Sequence, residues 1–348
     1  MSARKVAPAN WLSEHPALWP VLGLLVLFAF NFFFAQGFFR IKMLDGRLYG
    51  TLIDILNQGS KVMLLSIGMT LVIATGGVDL SVGSIMAISG AVAAVLVKQG
   101  NWPFALVLII PLLASIAAGL WNGMLVAARI QPIIATLILM VAGRGIAMLL
   151  SEGQIVTFDD PRFTFIGNGH LLALPFTVTI VAIVLALTSL AARKTPIGLF
   201  IEAVGDNETA ARFCGISTGV VKLLVYAFSG LCAGLAGLID ASKINAADSA
   251  VVGKMMELDA IFAVVVGGTA LTGGRFTLIG SVVGAILIQT LTTTMYQLGV
   301  PSDIAPVPKA IVIIGVCLIQ SRRFRGQIVG IFSRPKRRAL SPPQPAAG

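Results

Sequence analysis

Ten separate apolar runs, each near the length that crosses a bilayer, leave this chain few ways to fold. A helix needs about 20 apolar residues to span the hydrocarbon core. On that ruler the candidate spans are roughly 17–39, 60–76, 80–98, 103–129, 131–150, 171–192, 220–241, 257–273, 276–298 and 305–321. Inside lipid the chain must satisfy its own backbone polar groups, so only helices and closed barrels qualify. The alternating segments of an outer-membrane barrel are absent. The expected fold is all-α: a polytopic α-helical membrane protein of about ten transmembrane helices, some broken by glycine. Composition agrees, with 57% of the 348 residues hydrophobic and 11% charged. A soluble domain carries about a quarter charged residues.

The chain divides into a short N-terminal tail, 1–16, a transmembrane body, 17–321, and a basic, Pro-rich tail, 322–348. No cleavable signal peptide is evident, because the run from Ala17 to Phe39 is longer than a signal h-region. The net charge of +10 does not point to nucleic acid, since seven of the 25 basic residues follow Gln320. A basic stretch directly after a hydrophobic segment is a topology signal, and no nucleic-acid motif accompanies it. Ten spans put both termini on one side. With both inside, the cytoplasmic parts hold 15 Lys and Arg and the outer loops 7, seven of the 15 lying in the tail. Both termini and the 193–219 loop are therefore expected in the cytoplasm. Cys214, Cys232 and Cys317 have neither disulfide nor zinc spacing.

One stretch disturbs the apolar pattern. IATGGVDLSVGSIMAISG places Gly76, Gly77, Asp79 and Ser81 inside what should be membrane. It has an echo 191 residues later, where Gly267, Gly268, Leu271, Thr272 and Gly274 repeat the pattern GGxxL[ST]xG. The segment before the first break, Lys61 to Thr75, is 15 residues and reaches only about 22 Å as a helix. Paired, short, Gly-interrupted segments point to a substrate path in transporters. Close packing of helices explains the glycines equally directly. Asp79 has two readings as well: a cap on the helix that starts there, or a contact with a passing solute. Asn122, in GLWNGML, and Gln289, in ILIQTL, suit either interhelical hydrogen bonds or a polar path. Arg144, in LMVAGRGIAMLL, needs a partner or a water path. Lys61, Asp240, Glu257, Asp259 and Lys309 sit near expected helix ends, where they can snorkel or cap.

The 193–219 connection is not polar filler. Its segment IEAVGDNETAARFCGI has acidic residues toward the start, Arg212 toward the end and Gly215 as a stop. That order suits one short helix, or two with a break at Gly205–Asn207. It reads as a solvated connector or as a docking element. Elsewhere no phosphate loop, HExxH, GxSxG or clustered His/Cys set occurs. Hence no catalytic residue and no metal site are expected, and few buried charges suit a neutral polar solute. Three classes remain: a permease driven by a separate ATPase, an ion-coupled secondary transporter, and a membrane enzyme or scaffold. The docking loop favours the first.

The residues also resemble a family. IGMTLVIATGGVDLSVGSIMAISG, GLWNGMLVAARIQPIIATLILMVAGRGIA, GQIVTF and LDAIFAVVVGGTALTGGRF are similar to the signature of permeases of bacterial ribose-type sugar ABC importers. GRLYG, GQIVTF and FIEAVG together resemble the galactofuranose branch of that family. The resemblance implies an inner-membrane permease that pairs with a second permease chain, as heterodimer or homodimer. It further implies a periplasmic sugar-binding protein and a tandem ATP-binding subunit. ATP and Mg would be used by that subunit, with no cofactor on this chain. The FIEAVGDNETAARFCGI loop resembles the family's coupling segment. Carried across by match, ATPase coupling falls on Glu202, Ala203, Val204, Gly205, Asn207, Ala210, Ala211 and Gly215. The path or gate is expected at Gly76, Gly77, Asp79, Ser81, Asn122, Gly267, Gly268 and Thr272.

Overall fold

The computed structural model describes residues 18–35, 37–44, 46–301, 304 and 306–320. The tails 1–16 and 322–348 therefore lie outside the described residues. Within them the long helices are α1 (Leu18–Phe34), α2 (Thr51–Ala74), α3 (Val82–Gln99), α4 (Phe104–Ala127), α5 (Pro132–Leu150), α7 (Phe176–Lys194), α10 (Thr218–Ile244), α12 (Leu278–Gln297) and α13 (Pro306–Gln320). Shorter ones are α6 (Pro161–Asn168), α8 (Pro196–Asp206), α9 (Glu208–Phe213) and α11 (Met256–Val266). Three small antiparallel ribbons pair β1 (Lys42–Leu44) with β2 (Arg47–Tyr49), β3 (Val156–Thr157) with β6 (Ala246–Ala247), and β4 (His170–Leu171) with β5 (Leu174–Pro175). All ribbons lie at one end, here the far end, while α8 and α9 mark the near end.

Each expected span contains a helix, and among the described residues seven helices are long and apolar enough to cross a membrane. Four boundaries differ from expectation by five residues or more, the first being α1, which stops at Phe34 rather than 39. α2 starts at Thr51, not near residue 60, and its 24 residues reach about 36 Å. The segment before Gly76 is thus a full span, and its inferred shortness is overturned. The polar run Asp54–Ser60 hid the start, because partners satisfy it: Thr177 Oγ1 donates to Asn57 Oδ1 at 2.9 Å, and Lys243 Nζ donates to the Asn57 carbonyl. α7 begins at Phe176 rather than 171, since residues 170–175 form the β4–β5 ribbon. α11 is 11 residues long, about 16 Å, because the helix stops at Gly267 instead of running to 273.

α10 is the spine, packed against α2, α3 and α4. Small residues let it approach. A Cβ on Gly119 would strike the Tyr226 carbonyl, and one on Gly230 would strike the Ser115 carbonyl. Ser89 Oγ donates to the Gly234 carbonyl at 2.8 Å, and Thr70 Oγ1 donates to Ser281 Oγ at 2.7 Å to join α2 to α12. Gln289 is half-buried on α12, 3.5 Å from Thr293 Oγ1. Four of the five charges expected to snorkel or cap instead pair with one another, and Glu257 forms no salt bridge among the described residues. Lys61 binds Asp240 across α2 and α10, both side chains only 14% exposed, and Lys309 binds Asp259 at 2.9 Å. With α2 starting at Thr51, Lys61 is ten residues from the helix end and too deep to reach it.

Removing one partner of a buried pair leaves an uncompensated charge and costs about 3–5 kcal/mol, whereas apolar replacement of both is often neutral. Asp240→Leu should therefore lower the melting temperature of the detergent-solubilised protein, and adding Lys61→Met should restore most of it. The check is a thermal-shift series on the wild type, both single variants and the double variant.

Candidate functional site

The two glycine breaks and the short-helix loop converge at the near end. α2 ends at Ala74, and Gly76 turns the chain with φ +78. α11 ends at Val266, and the segment after it runs back toward α2, with Gly273 and Gly274 at φ +88 and +89. There the Gly274 N–H donates to the Ala74 carbonyl at 2.9 Å, tying one break to the other. Gly205 of α8 lies on this junction. A Cβ there would strike the Ala74 carbonyl and the Gly274 amide, and one on Gly273 would crowd the Gly76 nitrogen and Gly205. Three backbones thus meet without an intervening side chain.

The breaks are not conformational copies. Gly76 has positive φ, but its counterpart Gly267 has φ −63; Gly268 is at +93, while Gly77 is not in that region. Gly267 packs against Gly280 of α12, whereas Gly77 packs against the Tyr226 hydroxyl. Thr272 is exposed at the near end, and buried Thr269 accepts from the Thr277 N–H at 3.2 Å.

From Gly76 the chain turns inward, and Asp79 is fully buried. Its Oδ1 accepts from the Ser81 N–H at 3.0 Å and from Ser81 Oγ at 2.6 Å, and its Oδ2 accepts from Ser229 Oγ at 2.9 Å. Asn122 Nδ2 donates to Ser81 Oγ at 2.7 Å, leaving Asn122 Oδ1 without a partner. Ser229 is eleven residues into α10, about 16 Å. So the carboxylate holds the start of α3 against α4 and α10. Asp79, Ser81 and Asn122 form one sealed network, and Gly77 lies beside it.

The loop after α7 folds as two helices, with the break at Asn207. Thr195 caps α8, and Asn207 caps α9 by accepting from the Ala210 N–H at 2.9 Å. Val204 and Ala211 are buried, Glu202 and Ala203 half-buried, and Asn207, Ala210 and Gly215 exposed. Glu208 clamps the loop: its carboxylate accepts from Arg212 at 2.6 Å, from Lys222 at 2.6 Å and from Thr218 at 3.2 Å. Partial burial pushes this carboxyl up, but Lys222, Arg212 and Thr218 outweigh it and hold it below the usual carboxylate range. Sequence reasoning passed over Phe213, which is 89% exposed at the end of α9 beside exposed Cys214. Its signal was present, a large aromatic in a loop otherwise rich in polar residues.

Residues 51–319 match the family described as branched-chain amino acid transport system / permease component. The chain is 49% identical to the galactofuranose transporter permease protein of Escherichia coli (strain K12), over 94% of this chain and 95% of that one. It is 38% identical to the fructose import permease protein of Bifidobacterium longum (strain NCC 2705), over 87% of each. It is also 38% identical to the ribose import permease protein of Escherichia coli (strain K12), over 93% and 98%. No solved structure matches.

Two outcomes follow from this geometry. Asp79→Asn keeps an acceptor for the Ser81 N–H and turns its amide toward Ser229, so expression and melting temperature should stay near wild type. Asp79→Leu strands buried donors at about 1–3 kcal/mol each and should lower both, as thermal scanning would show. The second outcome concerns pH. A depressed folded-state value means the Glu208 clamp contributes fully above the unfolded value of about 4.3 and weakens as pH falls through the folded one. Anisotropy of a fluorophore on Cys214, in a Cys317→Ser background, should be flat from about pH 8 to 5 and fall below. Glu208→Gln should remove that inflection.

Proposed function

The chain belongs to the permease-component family just described, and on that premise we propose that it is the membrane-spanning subunit of an ATP-driven sugar importer. The observation that carries the mechanism is the backbone junction of Gly205, Ala74 and Gly274. A short exposed helix pair at one end rests directly on both breaks in the membrane body. Force applied to α8 and α9 from outside therefore reaches α2, α3 and α11 without a soft side chain to absorb it. The sugar class is supported by relatives named for galactofuranose, fructose and ribose. Galactofuranose or another monosaccharide is the expected cargo, delivered by a periplasmic binding protein.

The ATPase would be a separate chain using ATP and Mg, since no phosphate loop occurs in this one. Exposed Phe213, with Asn207, Ala210 and Gly215 around it, offers that partner an apolar knob. Gly205, Val204 and Ala211 face inward and would pass the motion on. A second permease chain completes the assembly, in a bacterial inner membrane with the near end cytoplasmic. The near-end connections hold six basic residues, Arg129, Arg193, Lys194, Arg212, Lys222 and Arg275, against seven at the far end, so the basic stretch after Gln320 carries the orientation. The ion-coupled alternative gains nothing from Asp240 or Asp259, each held by a lysine, or from Asp79, held by hydroxyls.

Docking and transmission separate in one experiment. Phe213→Asp should abolish co-purification of the ATPase and leave Cys214 open to alkylation in membranes where the wild type is protected. Gly205→Val should leave the ATPase bound but cut sugar uptake at least tenfold, because α8 can no longer sit on the junction. Uptake of labelled monosaccharides should depend on ATP and survive collapse of the proton gradient. Wild-type uptake in both variants would overturn the reading.

A further inference from the structure

Arg144 lies in the middle of an apolar helix with no carboxylate in contact. It is twelve residues from the start of α5 and six from its end, about 18 and 9 Å along the axis. The side chain is half-buried. One nitrogen, Nη1, donates to the Ser249 carbonyl at 3.0 Å and to the Val252 carbonyl at 2.5 Å. No salt bridge reaches it among the described residues; the acidic groups that face it are Glu257 and Asp248. Charge at this depth is costly against lipid and belongs beside water or protein. Yet no described residue covers the face of α5 around it, with Val141 at 71% exposure and Gly145 in open space.

The carbonyls it holds belong to residues 245–255, which enter from the far end and dip into the body. Depth is fixed by contacts: a Cβ on Gly83, in the first turn of α3, would meet Gly253 and the Glu257 carboxylate. This segment begins and ends in left-handed backbone at Asn245 and Met255, φ +51 and +65. Around Arg144 it leaves two buried polar atoms with no hydrogen-bond partner, Ser249 Oγ and Glu257 Oε2. Ser249 is 3% exposed and Glu257 9%. Orphaned groups of this kind are rare and costly in a finished core.

We propose that Arg144, Ser249 and Glu257 form a transient subsite for a neutral, polyhydroxylated solute, on an α5 face that lines the solute's path rather than lipid. This rests on the importer reading above. Adjacent hydroxyls of one solute satisfy both orphans: a hydroxyl donates to Glu257 Oε2, its neighbour accepts from Arg144, and Ser249 Oγ takes either role. With a cation and carboxylates together the subsite favours neither sign of charge. Release of the two carbonyls by Arg144 would let residues 245–255 swing on their two left-handed ends and admit the solute.

The test uses the full chain in its importer, in vesicles. Single cysteines at Val141, at Leu172 in the exposed far-end turn, and at Leu113 on the outer face of α4 are labelled with a membrane-impermeant sulfonated maleimide. Val141→Cys should react within about threefold of Leu172→Cys, and Leu113→Cys at least tenfold more slowly. Equal slowness of Val141→Cys and Leu113→Cys overturns the path assignment, whether or not a sugar is carried. Discrimination between the transported monosaccharide and its deoxy analogues should fall at least fivefold in Glu257→Gln and in Ser249→Ala. Unchanged discrimination with normal Val141→Cys labelling overturns the subsite while leaving the importer reading intact. Failure of the wild type to carry any monosaccharide would strike the importer reading itself.

Discussion

The hydrogen bond from the Gly274 N–H to the Ala74 carbonyl is the constraint on which the near end depends. A helix that stops inside a low-dielectric body leaves carbonyls without partners, and lipid offers none. Here the terminal carbonyl of α2 is satisfied by the backbone that follows α11. The two interruptions cancel each other's deficit, which requires both chains to approach to backbone distance. Glycine at 76, 273 and 274 supplies the positive φ for that approach. Glycine at 205 then lets a third backbone rest on the pair. Substitution at any of these positions would separate elements, not merely perturb one.

Farther inside, the same problem is solved with side chains. Asp79 spends both carboxylate oxygens on Ser81 and Ser229. Lys61 and Lys309 are each matched by an aspartate on a different helix. Each device fixes one helix against another where apolar packing alone would leave register and rotation loosely set. α10 collects most of them, through Ser229, Gly234 and Asp240, which is consistent with its central position.

The spans were legible because twenty-residue apolar runs have few alternatives in a bilayer. The loop's acidic-to-basic order showed helix but left one helix or two open, and the structure selects the pair broken at Asn207. The start of α2 was not legible. Asp54, Asn57, Gln58 and Ser60 look like a loop to any hydropathy ruler, and their acceptability depends on Thr177 and Lys243 from distant sequence. The end of α11 was missed for the opposite reason: the apolar run continues, but Gly268 departs from helical backbone at φ +93. The echo between the breaks was visible as residues, yet it predicted neither their different dihedral angles nor their meeting at Gly205. Such contacts depend on chain segments about 70 to 200 residues apart, and no local pattern encodes them.

α11 links the two ends of this argument. Its last turn leads into Gly267 and the junction under α8, and its first turn carries Glu257 beside Gly83 and Arg144. It is a rigid rod of about 16 Å, half the length of a span, so it can tilt as a unit where a full span would be held at both surfaces. Gly284 of α12, which could not carry a Cβ against the Ala263 carbonyl, gives the rod a smooth bearing. On the proposed coupling, displacing α8 at the near end would move the break, the break would move the rod, and the rod would shift the carboxylate that faces Arg144. On this geometry a push at Phe213 and the opening of the 245–255 segment are two ends of one motion, and the short helix is what makes them so.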